Sequence, residues 1–384
     1  MNDVTTIRPI ALRHRDYYAT RPAVSFAVRV ASGRTFEVGP GDPRFTFVAR
    51  DRRGEEALAS LDQFRVAVAY LEGWLDVEGD LVSALAMRGF FRDFHPLVWL
   101  GKFAPSLLGA GAADDRRTIS SHYDRESEFF LTFLDRRHRC YTQGSFAHDD
   151  EPLEDAMTRK LDLALASLDL PADARVLEVG GGWGAFLEHA GRRGVEVTAL
   201  TLAAESERFL TGLVARQDLP VTVVRQHFHE YRSERRFDAV VNMGVTEHLP
   251  DYGRSLRRYA ELLEPGGRVY LDAFAMRSRH RISTFMTRLV YPGRSTPLLL
   301  HRYLAHVARS PLRLVELHDE RHNYFLTCRE WARRLDAARD EVVERWGPAL
   351  HRRFRLFLWA SALGFDSGLL QAYRWTLELP ADHR

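Results

Sequence analysis

The chain has 384 residues, a formal net charge of +2, 45% hydrophobic and 28% charged residues, the balance of an ordinary soluble protein long enough for two domains. That near-neutral charge excludes the basic field of a nucleic-acid binder, and two cysteines, Cys140 and Cys328, exclude a disulfide framework and fit a reducing cytoplasm. No stretch approaches the roughly 18 apolar residues of a membrane span, the N-terminus lacks a signal-peptide core, and Lys102 and Lys160 are the only lysines among many arginines.

Residues 1 to 20 are polar and read as loosely held. Alternation at Val24, Phe26 and Val28, a turn at Ser32 and Gly33, then Phe36, Val38 and Phe45 to Val48 predict a small β-meander. A helical pattern runs from Ala57 to Leu71, followed by Gly73-Trp-Leu-Asp-Val-Glu-Gly-Asp80. Phe94 to Leu108 is rich in aromatic and leucine residues that suit docking on a second domain or touching a membrane surface. Gly109 to Asp115 reads as a linker, which divides the chain into 1–110 and 116–384.

Beyond the linker, strands and helices alternate, the pattern of a doubly wound parallel sheet. A helix over Leu153 to Leu170 precedes a strand ending at Val179. Further strands follow at Val195 to Leu202, Val221 to Arg225, Phe237 to Gly244 and Val269 to Phe274. A helix from Tyr252 to Leu263 stops at Glu264-Pro-Gly-Gly267. Residues 277–310 break the rhythm with several arginines among apolar residues and read as a lid over a substrate. A strand at Leu312 to Leu317, helices over Arg329 to Phe365 and a strand from Leu370 to Leu379 complete the chain.

The focus of this domain is Val176-Leu-Glu-Val-Gly-Gly-Gly-Trp-Gly-Ala-Phe186, where an apolar strand enters closely spaced glycines and then a helix. Glycine tolerates positive φ and carries no Cβ, so Gly180, Gly182 and Gly184 can press backbone against a ligand at the carboxyl end of a parallel strand. A nicotinamide site would want an acid at the tip of the next strand, which instead reads Ala199-Leu-Thr-Leu202. With Glu178 ahead of the glycines, the run resembles motif I of the class I S-adenosylmethionine-dependent methyltransferases.

More specific runs follow the same line. His122-Tyr-Asp124, Phe129 to Asp135, Tyr141-Thr-Gln-Gly-Ser-Phe146, Val245-Thr-Glu-His-Leu249 and Trp359 to Gln371 are similar to runs of the cyclopropane fatty-acyl-phospholipid synthases, the family that includes the mycolic acid cyclopropane synthases. Gly73 to Asp80 resembles the accessory domain of the bacterial phospholipid enzymes. The resemblance implies an α/β fold, a class I methyltransferase doubly wound sheet with a smaller N-terminal α+β accessory domain. It also implies an S-adenosylmethionine cofactor, with Tyr123 and Tyr141 near its methionine moiety, Glu178, Gly180, Gly182 and Gly184 lining it, Thr201 near the ribose and Phe228 against the adenine. Ala203 and Ser206 stand where the family tends to carry serine and glutamine.

The implied reaction moves a methyl group to an alkene carbon and leaves a carbocation, from which a base takes a proton. In the family that base is a bicarbonate ion held by a cysteine backbone, a glutamate, a histidine and a tyrosine. Glu247 and Tyr324 match the last-named acid and phenol, while Gln143 stands at the cysteine position and Asp272 at the histidine position. The resemblance therefore does not carry bicarbonate over. Two close carboxylates push one pKa upward, so Asp272 paired with Glu247 is expected to replace the anion as a proton shuttle. A simpler role for Asp272, capping a loop or pairing with a lid arginine, stands beside it. No histidine or cysteine spacing suits a metal.

The expected partner is an unsaturated lipid or a small-molecule alkene, with no nucleic acid. A cytoplasmic location, peripheral contact with the inner face of the membrane and a homo-oligomer are compatible with it. Methylation or cyclopropanation of a natural-product intermediate, N-methylation of an amine welcomed by two carboxylates, and a non-catalytic cofactor- or lipid-binding relative are the alternatives.

Overall fold

The computed structural model describes residues 3–93, 95, 127–278, 283–290 and 296–382. The chain forms two compact units, one from residues 1–109, 282–292 and 335–363, the other from residues 110–281, 293–334 and 364–384.

In the first unit the N-terminal residues form a helix, α1 (Asp3–Tyr18), that buries Thr6, Ile10 and His14. These residues recur four apart and so share one face. Four strands follow with helices between them: β1 (Phe26–Arg29), β2 (Thr35–Val38), β3 (Phe45–Ala49), α2 (Arg52–Ala59), α3 (Gln63–Leu71), β4 (Leu75–Gly79) and α4 (Leu81–Ala86). The sheet order is β2-β1-β3-β4, with β1 parallel to β3, so the expected meander is replaced by a sheet whose first strand is central. The single helix expected over Ala57 to Leu71 is two, broken where Leu61 adopts a left-handed φ of 53° and restarted by the Asp62 carboxylate capping the Arg65 amide. Phe26, Phe45, Phe47, Leu75 and Phe90 fill the core.

The second unit opens with α5 (Ser127–Leu131) and α6 (Leu153–Leu168) and continues β5 (Arg175–Val179), α7 (Ala185–Gly191), β6 (Glu196–Thr201), α8 (Ala204–Gln217), β7 (Val221–Arg225) and β8 (Phe237–Met243). Next come α9 (Tyr252–Leu262), β9 (Leu263–Ala275), α10 (Leu300–Val307), β10 (Arg313–Asp319) and α11 (Arg321–Ala337). Helices α12 (Arg339–Trp346) and α13 (Pro348–Asp366), which belong to the first unit up to Leu363, precede the last strand of the second, β11 (Gln371–Glu378).

The seven-stranded sheet runs β10-β11-β9-β8-β5-β6-β7. Strands β5 to β9 pair in parallel, while β11 runs antiparallel to both β9 and β10, so the sheet is mixed rather than wholly parallel. Val176, Leu177, Val197, Ala199, Val240 and Val241 are essentially inaccessible, as strands covered on both faces require. From β5 the chain winds outward to β7, then returns to β8 on the other side. Ligands of such sheets bind at this reversal, outside the carboxyl ends of β5 and β8.

Candidate active site

The glycine loop leaves β5 at that reversal, with φ of +87°, +51° and +84° at Gly180, Gly182 and Gly184. The amides of Gly180 and Gly181 donate to the Leu200 carbonyl at 3.0 and 2.9 Å, and Ser206 Oγ donates to the Gly182 carbonyl at 2.6 Å. Arg139 Nε donates to the Trp183 carbonyl at 3.2 Å, while its guanidinium pairs with Glu188 of α7. The loop is thus held from three directions. A Cβ on Gly180 would lie 2.4 Å from Val245 Cγ2, so the β5 and β8 loops touch, whereas one on Gly182 would meet nothing closer than 4.0 Å. Open space at Gly182 is what a ligand lying across the loop needs.

Glu178 is buried beneath the start of α7. Burial pushes its carboxyl up to about 8, opposed by the Leu187 amide, and its Oε2 has no hydrogen-bond partner among the described residues.

After β8 the chain makes a 3₁₀ turn, Thr246–His248, which carries Glu247 inward to 3% exposure. Its Oε1 accepts from the Phe274 amide at 2.8 Å, and its Oε2 is buried with no partner among the described residues. Burial pushes this carboxyl up to about 8 as well, with the Asp272 charge adding to the shift and Lys160 subtracting from it.

Asp272 lies on β9 with no exposed surface. Its Oδ2 is 2.9 Å from Nζ of Lys160, itself 1% exposed on α6. Its ion-pair partner is Lys160, a cation absent from the sequence-based site, rather than a lid arginine. Burial raises the Asp272 carboxyl against the pull of Lys160. The opposite push of burial on the ammonium is outweighed by Asp272, Cys140 and Glu320, so the Lys160 pKa rises. The charged pair is the favoured form because Asp272, the Thr142 hydroxyl and the Cys140 sulfur all face the ammonium. One signal in the sequence marks Lys160: it falls among Ala156, Met157, Leu161 and Ala164 on the buried stripe of α6, where a charge needs a partner.

Gln143 is 1% exposed, and its Oε1 likewise has no partner among the described residues. Its neighbours are pinned to α11: the Gly144 amide donates to Thr327 Oγ1 at 3.0 Å and the Phe146 amide to Asn323 Oδ1 at 2.9 Å. Through Thr142, which hydrogen-bonds with Lys160, the segment that carries Gln143 reaches the Lys160–Asp272 pair. Tyr324, on α11, stacks on Phe365 with ring centroids 4.5 Å apart. Tyr141 packs among Phe130 and Trp331. Thr201 ends β6, 7% exposed, and Phe228 packs on Tyr259 at 4.9 Å inside the core. Tyr123 lies outside the described residues, as do Phe94, residues 96–126 and parts of the 277–310 lid segment; the described turn Met286–Val290 belongs to the first unit.

Cys140 and Cys328 are free and buried. Among the described residues no cluster of histidine, cysteine or carboxylate could hold a metal, and no helix is long and apolar enough to cross a membrane.

The raised carboxyl of Glu247 has a consequence for stability. A folded-state pKa near 8 against an ordinary 4.5 means that the fold binds the proton more tightly, so this contribution is complete below about pH 4.5 and is lost as pH rises through 8. Urea unfolding of Glu247→Gln against wild type is expected to favour the variant increasingly between about pH 5 and 8.5. A difference that is constant with pH would contradict the shift.

Comparison with known proteins agrees with this fold. The mycolic acid cyclopropane synthetase family matches residues 111–375. The chain is 28% identical over 291 residues to the tuberculostearic acid methyltransferase UfaA1 of Mycobacterium tuberculosis, covering 72% of this chain and 68% of that protein. A probable fatty acid methyltransferase of Pseudomonas putida is 24% identical over 369 residues, 90% of each chain. The solved mycolic acid cyclopropane synthase CmaA1, complexed with SAH and CTAB, resembles this fold with a TM-score of 0.64 at 22% identity, over 68% of this chain and 98% of its own.

Proposed function

The chain belongs to the mycolic acid cyclopropane synthetase family and is an S-adenosylmethionine-dependent methyltransferase, and from that membership we propose that it adds a one-carbon unit to a carbon–carbon double bond in an unsaturated acyl chain. The observation that carries this reading is Glu247: one oxygen anchored by the Phe274 amide, the other buried and without a partner among the described residues, at the carboxyl edge of the sheet. The fatty acid and tuberculostearic acid methyltransferases among its relatives support an acyl acceptor.

S-adenosylmethionine, when bound, supplies an electrophilic methyl group on a sulfonium. The residues that fit it are Gly180, Gly182 and Gly184 with the Glu178 oxygen that has no partner among the described residues, joined by Thr201, Tyr141 and Tyr123 as in the family pattern. As the new carbon–carbon bond forms, positive charge develops on the acceptor chain, and buried carboxylates stabilise it without reorganising. Glu247 Oε2 then accepts the proton that the acceptor must lose, its basicity raised first by burial, with the Asp272 charge adding to it and Lys160 opposing. Tyr324 and Gln143 complete the wall. On this reading residues 1–110 form an accessory domain for the lipid.

Gly182 tests the cofactor assignment. Gly182→Ala is expected to cost about 1–2 kcal/mol of stability for its left-handed φ, with a loss of S-adenosylmethionine affinity of at least ~10-fold from the added methyl. Unchanged affinity in calorimetry would move the cofactor off this loop.

The same chemistry makes a small anion unnecessary, because Asp272 and Lys160 already occupy the wall beside Glu247. Turnover is expected to be unchanged when bicarbonate is restored to carbon-dioxide-free buffer, and clear stimulation would contradict a carboxylate base. The direct experiment is mass spectrometry of monounsaturated phospholipid and free fatty acid incubated with the purified protein and S-adenosylmethionine. A gain of one methylene unit in the acyl chain supports the reading; a gain only in added amines overturns it.

A further inference from the structure

Among the described residues Lys160 is the most deeply buried cation, and its contacts close a circuit. Its Nζ pairs with Asp272 Oδ2 at 2.9 Å and hydrogen-bonds with Thr142 Oγ1. The Thr142 methyl fills the site of a Cβ on Gly244, 2.6 Å away, and the Gly244 amide donates to the Asp272 carbonyl at 3.1 Å. Three residues beyond Gly244 comes Glu247, whose Oε1 takes the amide of Phe274, two residues beyond Asp272. Lys160 therefore ties together the two backbone segments that carry Glu247 and its anchor. An aliphatic residue would fill the same stripe of α6 without burying a charge, so packing alone gives no reason for an ammonium here.

We propose that Lys160 is the positioning residue of Glu247, clamping Asp272 and the Thr142–Gln143 segment so that Glu247 is held at the cofactor edge within a balanced field of one cation and one anion. The proposal rests on the reading of Glu247 as proton acceptor. The groups facing this centre are Asp272 and Tyr270 from β9, Lys160 from α6, Cys140 from the segment before α6, Glu320 ahead of α11 and Arg374 from β11. Asp272 and Lys160 act on Glu247 in opposite senses. Neutralising either one alone tilts the field, and neutralising both restores it. Loss of Lys160 leaves Glu247 facing an uncompensated anion and holding its proton more tightly, whereas loss of Asp272 does the reverse.

With only two lysines in the chain, ¹⁵N-lysine labelling reads Lys160 directly, the second Nζ signal being assigned through Lys102→Arg. In the folded wild-type protein the Lys160 signal is expected to move in a step with its midpoint near 8, where Glu247 titrates, and Glu247→Gln is expected to abolish the step. A wild-type Lys160 signal that is flat from about pH 6 to 9.5, or a step that persists in Glu247→Gln, overturns the proposal. Turnover gives the second arm. Lys160→Met should shift the rising limb of kcat/KM upward by about one pH unit and Asp272→Asn should shift it downward, with the double variant close to wild type. Active single variants with unshifted limbs also overturn it. A Lys160 step without methyl transfer to any lipid would uphold the coupling and sink the reaction assigned above, so the two failures are distinguishable.

Discussion

Glu247→Gln is expected to lower methyl transfer by roughly 10²–10⁴-fold, the usual worth of a positioned proton acceptor, while leaving the fold intact. Glutamine has the volume of glutamate and keeps an oxygen for the Phe274 amide, so the anchor at 2.8 Å survives. Its neutral amide matches the protonated carboxyl that burial already favours below about pH 8. The loss should therefore fall on kcat, with S-adenosylmethionine affinity changed only a few-fold. Glu247→Asp is the companion variant: it keeps a carboxylate but withdraws it from Phe274 by one methylene, and an intermediate rate is expected. Loss of cofactor binding in proportion to rate in Glu247→Gln would instead make Glu247 a binding group.

The second large effect concerns stability. Lys160 and Asp272 are 1% and 0% exposed, so solvent does little to screen them, and removing one partner strands the other charge. Lys160→Met alone is expected to cost about 3–5 kcal/mol in urea unfolding, while Lys160→Met with Asp272→Leu should be near neutral or more stable. Equal losses in the single and double variants would mean that Lys160 contributes by shape alone. Set beside the turnover measurements, the cycle separates what the pair does for the fold from what it does for Glu247.

Much of this was legible in the chain. The strands of the second unit announce themselves as short β-branched runs, and Val221–Arg225 has the bounds its pattern implies. Tyr270-Leu-Asp-Ala273 alternates within β9, so Leu271 and Ala273 join the core packed around α9 while Asp272 turns to the opposite face. Where the pattern misleads, the reason is physical. Helix α1 is hidden because its buried face includes Thr6 and His14, and Pro9 lies inside it. The parallel pairing of β1 with β3 is a matter of partner order, which strands of four or five residues do not encode locally. Helix α11 starts at Arg321, ahead of the expected Arg329, and its first turn is polar, with Asn323 holding the Phe146 amide and the Glu320 carboxylate. Lys160 is marked only by its place on the apolar stripe of α6, since a lone lysine in a helix ordinarily reads as surface until its partner on the facing strand is known.

The most direct test is a single-turnover reaction of the purified protein with methyl-deuterated S-adenosylmethionine and a monounsaturated phospholipid, read by mass spectrometry. The expected result is label in the acyl chain with wild type and none above background with Glu247→Gln. Two of the three deuteria should remain if the proton leaves the transferred methyl, and all three if it leaves the chain. Wild-type protein that binds the cofactor yet leaves every acyl chain unlabelled, or Glu247→Gln that labels as fast as wild type, would contradict the account.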